Sequence, residues 1–425
     1  MKKSLLAIAA MTAFAGAAQA QSSVTVYGIL DVGFVGSHYN GVASALNTST
    51  TGAQAVTGGP AVNGGSAGFG QSAESTSRIG FKGSEDLGGG TSAIFTLETA
   101  VNPDGAASAF AFNRQTFVGL KKNGLATASV GTQYTTMFDV QSATDAAGNN
   151  NLVGNAVYAT NLQSSTGTYN TGQGAFSSIT STATTGAPIS INADSGAYVT
   201  RLSNVLKVSS DRFAGFATGV MYAQSSNSQS GTAYSGANNN TAFGINADYI
   251  WNKLQVVAAF QNVKAQNGVA AATTGSAASG MILANGTAGN FGNNVNDNQT
   301  YAAATYDFGI VKTYAQYITR KASSTVDSNF QTSRSAYQLG ARSQLTPVIS
   351  VYATYGLGKS SYAQAGTAYA NFRTAQLGAD YYLSKRTNLY VAYGSFNQSS
   401  PNSAAVSTIS SLSGMNYATG IRHTF

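Results

Sequence analysis

The chain has no cysteine, which excludes disulfide staples, thiolate nucleophiles and cysteine-bound metals and leaves stability to hydrogen bonding and packing. Charge is scarce too: Asp, Glu, Lys and Arg make up 9% of the residues, far below an ordinary globular protein. Histidine occurs only at His38 and His423, which leaves little material for acid–base chemistry. After Gln21 no apolar run approaches the roughly 20 residues that a spanning helix needs, so a helical membrane protein is excluded.

What is abundant is 48 Gly, 23 Tyr and 20 Phe, a mixture poor in helix formers and rich in strand and turn formers. The fold class read from it is all-β. At the N-terminus, Met1-Lys2-Lys3, the apolar stretch from Leu5 to Ala15 and Ala18-Gln19-Ala20 have the order of a secretory signal with its cleavage site. Residues 1–20 are therefore expected to be removed, leaving a single domain at 21–425. Without Lys2 and Lys3 the balance is 20 basic against 15 acidic side chains, a net +5. No basic block accompanies it, so nucleic acid is not an expected partner.

Low-complexity Gly/Ala/Ser/Thr/Asn stretches near 37–73, 135–197, 225–239, 265–297, 322–333, 359–371 and 398–413 alternate with segments of about ten residues whose hydrophobicity has period two. Sixteen such segments predict strands near 24–36, 74–84, 91–101, 112–121, 125–134, 198–209, 213–224, 240–251, 254–264, 298–307, 310–321, 334–345, 348–358, 372–383, 387–397 and 414–425. Very short polar turns, such as Lys122-Asn123-Gly124, Asn252-Lys253 and Thr346-Pro347, alternate with the long stretches. Long, short, long, short is the loop asymmetry of a transmembrane antiparallel β-barrel with elaborated external loops and tight periplasmic turns. A barrel of about sixteen strands keeps an aqueous lumen, whereas one of about eight fills with its own side chains.

Parity supports this. In the last strand Met415, Tyr417, Thr419, Ile421, His423 and Phe425 share one face, and Asn416, Ala418, Gly420, Arg422 and Thr424 the other. Tyr27, Tyr249, Trp251, Tyr306, Phe308, Tyr381, Tyr382 and Phe425 lie beside the short turns, where a membrane-interface girdle is expected.

Four stretches then carry a resemblance: Val24-Thr25-Val26-Tyr27-Gly28-Ile29-Leu30-Asp31, Ser77-Arg78-Ile79-Gly80-Phe81-Lys82-Gly83-Ser84-Glu85-Asp86-Leu87-Gly88-Gly89-Gly90, Asn113-Arg114-Gln115-Thr116-Phe117-Val118-Gly119-Leu120 and Gly420-Ile421-Arg422-His423-Thr424-Phe425. The sequence resembles the trimeric general porins of the β-proteobacterial outer membrane. That resemblance implies an outer-membrane homotrimer among lipid and lipopolysaccharide, with no cofactor and no metal, passing ions and small hydrophilic solutes by passive diffusion. It also implies an inward-folded third external loop, here 135–197 and longer than is usual in the family. The terminal Phe425 is similar to the signal read by the barrel-insertion machinery, and Asp104, in the short second loop, resembles in position a latch to a neighbouring subunit.

In such porins a basic ladder on the wall faces acidic residues on the loop. Arg78, Lys82 and Arg114 match the ladder, whereas Thr132 stands where relatives carry an arginine. Asp139, Asp145 and Asp194 are the loop's candidates for the acidic side. Counting Arg201 with the basic wall, a weak anion preference is expected, reduced by the loss at Thr132. Two rival readings share the export signal and the polar loops: a barrel hydrolase and a surface adhesin. Neither histidine has a neighbouring Ser/Asp pattern that repeats a known hydrolytic site.

Overall fold

In a closed barrel every backbone donor and acceptor is met by a neighbouring strand, so side chains need only alternate between lipid and water. The computed structural model realises this. It describes residues 23–42, 61–103, 114–159, 162–164, 167–169, 191–194, 197–230, 235–267, 294–325, 331–363, 367–399 and 411–425; the expected signal segment 1–20 and Asp104 lie outside these.

The first strands are β1 (Ser23–Val42), β2 (Ala61–Gln71), β3 (Arg78–Gly88), β4 (Thr91–Ala100), β5 (Thr116–Lys122) and β6 (Ala126–Tyr134). Helix α1 (Thr136–Ala143) follows, then the short β7 (Leu162–Ser164), β8 (Gly167–Tyr169) and β9 (Ile191–Asp194). The wall continues with β10 (Val199–Ser210), β11 (Phe216–Ser230), β12 (Ser235–Trp251), β13 (Leu254–Asn267), β14 (Asn294–Asp307) and β15 (Lys312–Ser324). It ends with β16 (Gln331–Thr346), β17 (Ile349–Ala363), β18 (Thr367–Tyr382), β19 (Thr387–Gln398) and β20 (Leu412–Thr424). Every wall pairing is antiparallel, and β20 closes onto β1 from Ile29 opposite Thr424 to Gly41 opposite Leu412.

The lower half of β1 pairs with β3 and its upper half with β2, so β2 and β3 form one barrel strand interrupted at Ser72–Ser77. Counted so, the wall has sixteen strands. Asp31, fully buried, organises the interruption. Its carboxylate accepts from the N–H groups of Glu74 and Ser75 at 2.8 and 2.7 Å and from the Tyr390 hydroxyl at 2.7 Å. Asp31→Ala would strand those donors, and a loss of about 3–5 kcal/mol is expected, read as a lower urea midpoint for the refolded barrel. An unchanged midpoint would show that the break is held by other contacts.

Parity follows the sequence. Tyr417 and Ile421 are exposed while Asn416 and Ala418 are buried, and the same holds for Leu377 and Tyr381 against Gln376 and Asp380. Tyr249, Trp251, Tyr306, Phe308, Tyr381 and Phe425 point outward by the turns, and Tyr222, Phe243, Tyr337 and Tyr355 form a second outward ring. Phe243 and Trp251 are eight residues apart on β12, roughly 20 Å of height once strand tilt is taken in, close to the roughly 25 Å apolar band of such barrels.

Two aromatics depart from the expected girdle. Tyr27 and Tyr382 occupy inward parity: Tyr27 donates to Glu98, and Tyr382 pairs with the buried Asn388. The polar stretches at 37–73, 225–239 and 359–371, expected as loops, contain strand instead: β1 runs to Val42, and β11–β12 and β17–β18 are joined by short connections. Above the membrane a ladder needs only backbone partners, so it continues where the apolar alternation has stopped.

Candidate functional site

The lumen has two unlike sides, one built by the wall from β1 to β10 and one by the chain that leaves β6. On the first, register places the charged side chains together. Gly80 of β3 sits opposite Glu98 of β4, so Arg78 and Lys82, two residues to either side of Gly80, share the face that carries Glu98. Arg114, just before β5, bonds Glu98 through Nε at 2.5 Å and the Tyr134 hydroxyl through Nη2 at 2.8 Å. Tyr27 donates to the other Glu98 oxygen at 3.1 Å, and Lys82 Nζ lies 5.4 Å from the Tyr27 ring centre. Arg201 of β10 stacks over Tyr134 at 5.6 Å, and Arg78 donates from Nε to the Thr76 carbonyl at 2.9 Å.

The structure brings Arg78, Lys82, Arg114 and Arg201 to one side of the lumen and spaces them around Glu98, which the sequence reading missed. Glu98 is the sole carboxylate of β4, and an acid in a lipid-facing sheet has to point inward, so parity alone could have found it. With one carboxylate among Arg78, Lys82, Arg114 and Arg201, the belt carries four positive charges against one negative. Thr132 opposes Thr116 across β5 and β6. The guanidinium groups beside Tyr134 come from Arg114, at its hydroxyl, and from Arg201 of the following wall strand, over its ring.

The second side is the third loop. Thr135 caps α1, accepting from the Phe138 N–H at 3.3 Å. Beyond the helix the chain travels along the inner wall rather than out of the barrel. Thr144 bonds the Tyr301 hydroxyl at 2.6 Å and its carbonyl accepts from Gln316. Asn150 donates to Tyr352 at 2.8 Å, Gln376 donates to the Leu152 and Val153 carbonyls, and Asn151 donates from its backbone to Ala73 at 3.0 Å. The chain then turns back: the Ala156 N–H donates to Gln338 at 2.7 Å and its carbonyl accepts from buried Arg334 at 2.7 Å. Glycines make this track. A Cβ on Gly394 would lie 1.8 Å from the Val153 oxygen, and one on Gly356 2.4 Å from the Ala156 Cβ.

Asp139 and Asp145 do not form the expected acidic wall. Asp139 is paired with Lys207 of β10 at 2.6 Å. Asp145 is buried inside the loop, accepting from the Asn149 N–H at 2.7 Å and the Asn155 amide at 3.1 Å. Burial pushes the Asp145 carboxyl above its usual range, and the Asn149 and Asn155 donors oppose this by favouring the charged form. An acid in a loop that crosses a lumen is expected to face the open space; here a turn and a lysine on the wall consume the first two. Asp194 lies in β9, its backbone opposite Val199. Aromatic contact bridges the two sides instead: Tyr134 stacks on Phe138 of α1 at 4.1 Å, and Phe138 meets Tyr158 edge-on at 6.4 Å. His38 is exposed high on β1, and His423 faces outward against Thr387 at 2.9 Å. Phe425 exchanges both backbone hydrogen bonds with Gly28 at 3.1 Å, sealing the lower seam.

Comparison with known proteins gives the same architecture. An outer membrane porin protein of Bordetella pertussis is 40% identical over 124 residues, which are 28% of this chain and 30% of that one. Outer membrane porin protein 32 of Delftia acidovorans is 41% identical over 124 residues, 29% of each chain. These alignments thus span under a third of the relatives' length. Over the full fold, the anion-selective porin from Comamonas acidovorans superposes with a TM-score of 0.63 at 24% identity, covering 95% of this chain and all of that one. A trimer form of the Vibrio cholerae outer membrane protein OmpT superposes at 0.54 with 13% identity and 95% coverage of this chain. The family model described as Gram-negative porin matches residues 7–401, and with a closed sixteen-stranded barrel around an inward loop the chain belongs to that outer-membrane family.

Proposed function

We propose that the protein is a passive outer-membrane channel for ions and small hydrophilic solutes, with a preference for anions. The observation that carries the reading is the belt of Arg78, Lys82, Arg114 and Arg201 around the single Glu98, facing a loop whose Asp139 and Asp145 are already engaged. A solute needs no binding step in such a pore, only room for its hydration shell and a favourable field at the narrowest level. Screening over roughly 8 Å at physiological salt confines that field to charges near the path, so the belt outweighs the net charge of the chain. Arg114 and Arg201 are buried, Arg78 half-buried and Lys82 exposed. Lys82 is the cation that a passing ion meets directly, and the others act through the low-dielectric wall.

The same reading takes the chain to be exported by residues 1–20, inserted through recognition of Phe425 and assembled as a homotrimer. The outward faces of β1 to β6 expose Val24, Val26, Leu30, Val32, Val118 and Leu120, an apolar surface suited to a second copy or to lipid.

A bilayer measurement in asymmetric potassium chloride tests the channel and its sign together. The reversal potential should report anion preference, and Glu98→Gln should increase it by about twofold to fourfold in the permeability ratio, since one negative charge leaves the belt. A cation-preferring wild type, or an unchanged ratio in Glu98→Gln, would remove the belt from the mechanism.

A further inference from the structure

The inner wall beside the third loop holds two arginines and one carboxylate. Arg320 of β15 and Arg334 of β16 are directly opposed in the ladder and share the inward face. Like charges so placed repel each other, and these two are 1% and 2% exposed. Asp297 answers only the first of them. Its carboxylate accepts from Arg320 Nε at 3.1 Å and Nη2 at 2.8 Å, and from the Gln299 amide at 2.8 Å. It stands on β14, so all of β15 separates it from Arg334.

Arg334 is left with little to offset its charge. Nη2 donates to the Ala156 carbonyl at 2.7 Å, and the guanidinium lies over the Phe372 ring, 4.5 Å from its centre. Nε and Nη1 have no hydrogen-bond partner among the described residues, and the charged neighbour that Arg334 feels is another cation, Arg320. A guanidinium stays protonated at neutral pH, so the escape open to a buried lysine is closed to it. A buried charge without a counter-charge is among the costliest arrangements in a protein, and one neutral carbonyl does not offset it. Arg422 shows the contrast: its Nε is also unpartnered, but 26% of its side chain is exposed and Glu74 stands 4.0 Å away. A hydroxyl lies on the same patch as Arg334. Thr374 Oγ1, two residues from Phe372 on β18, is unpartnered among the described residues. It and the Ala156 Cβ both come within 2.6 Å of the place that a Cβ on Gly356 would take.

We infer that Arg334 binds a small monovalent anion, a halide, between the barrel wall and the third loop. Nε and Nη1 supply the first donors, with the Thr374 hydroxyl on the same patch as a further one. The charge count sets the valence: two guanidinium groups against one carboxylate leave one positive charge to be met. Burial sets the size. A side chain 2% exposed and covered by Ala156 and Phe372 suits a single atom better than a phosphate or an organic acid, whose remaining oxygens would need donors of their own. Because Ala156 belongs to the loop, the ion ties the loop to the wall. It does so on β16, six wall strands on from β10, so the inference stands apart from the belt and its selectivity.

The test is diffraction from the full protein crystallised in bromide, recorded at the bromine absorption edge. An anomalous peak is expected at hydrogen-bond distance from Arg334 Nε or Nη1, and it should be absent from Arg334→Met. Both proteins are then unfolded in urea at one ionic strength, in sodium chloride and in sodium gluconate, so that screening is equal. Chloride bound to the folded state alone should raise the wild-type midpoint over gluconate by roughly 0.3 M or more, and Arg334→Met should show no such difference. No peak at Arg334, a peak that survives in Arg334→Met, or a wild-type midpoint indifferent to the anion would overturn the site. The wild-type bromide map needs no variant, so it decides even if Arg334→Met fails to fold.

Discussion

Replacing Arg78, Arg114 and Arg201 together with glutamine is expected to bring the reversal potential of the channel in a salt gradient close to zero. The belt would then hold Lys82 against Glu98, one charge of each sign. In water a unit charge about 5 Å from a passing ion contributes about 0.8 kcal/mol, about a fourfold local enrichment, so three lost charges outweigh any single substitution elsewhere. The buried position of Arg114 and Arg201 makes the wall less polarisable than water and strengthens their effect. Lys207→Met is the informative contrast: it frees Asp139, a loop acid now held at 2.6 Å, and shifts the preference the same way by a smaller step. A triple variant that keeps the parent's reversal potential while still conducting would place selectivity somewhere other than this belt.

That belt was partly legible in the sequence, for a physical reason that also explains what was not. Arg78 and Lys82 share one strand, and a period of two fixes their common face without any knowledge of the fold. Arg114 and Arg201 required strand pairing to bring them to Tyr134, because Arg114 sits in an irregular approach to β5 and Arg201 beside a register shift in β10. Glu98 was readable from parity alone. Tyr27 was misread because proximity to a turn in sequence says nothing of side, and the girdle reading ignored its inward parity with Asp31.

The loop is the other half of the same lesson. Its carboxylates looked available because nothing in a low-complexity stretch signals a partner. Asp139 is claimed by a lysine on β10 more than sixty residues away, and Asp145 by an asparagine ten residues on. The pairing that engages Asp139 is set by helix α1 running along the wall, and α1 in turn is anchored by Asn246 of β12, whose amide donates to the Thr136 carbonyl at 2.6 Å. The strand pattern fixes the barrel because its information is local, one residue in and one out. The pore depends on contacts between distant segments, which no local period encodes.

Removing residues 145–157 should raise single-channel conductance, by about twofold or more, because this segment occupies one side of a lumen that sixteen strands would otherwise leave open. Filling the track beneath the segment should act in the opposite direction. Gly356→Leu with Gly394→Leu introduces side chains where Ala156 Cβ and the Val153 oxygen already stand at 2.4 and 1.8 Å from the position of a Cβ. The barrel wall is held by continuous antiparallel ladders on both sides of these positions, so the loop yields first, and it can move only into the lumen. Conductance is expected to fall to about half or less while anion preference persists, since Arg201 of β10 lies about half the barrel's circumference from the glycine track on β17 and β19. If both variants conduct as the parent does, the loop lies clear of the ion path, and the constriction has to be sought among the wall residues alone.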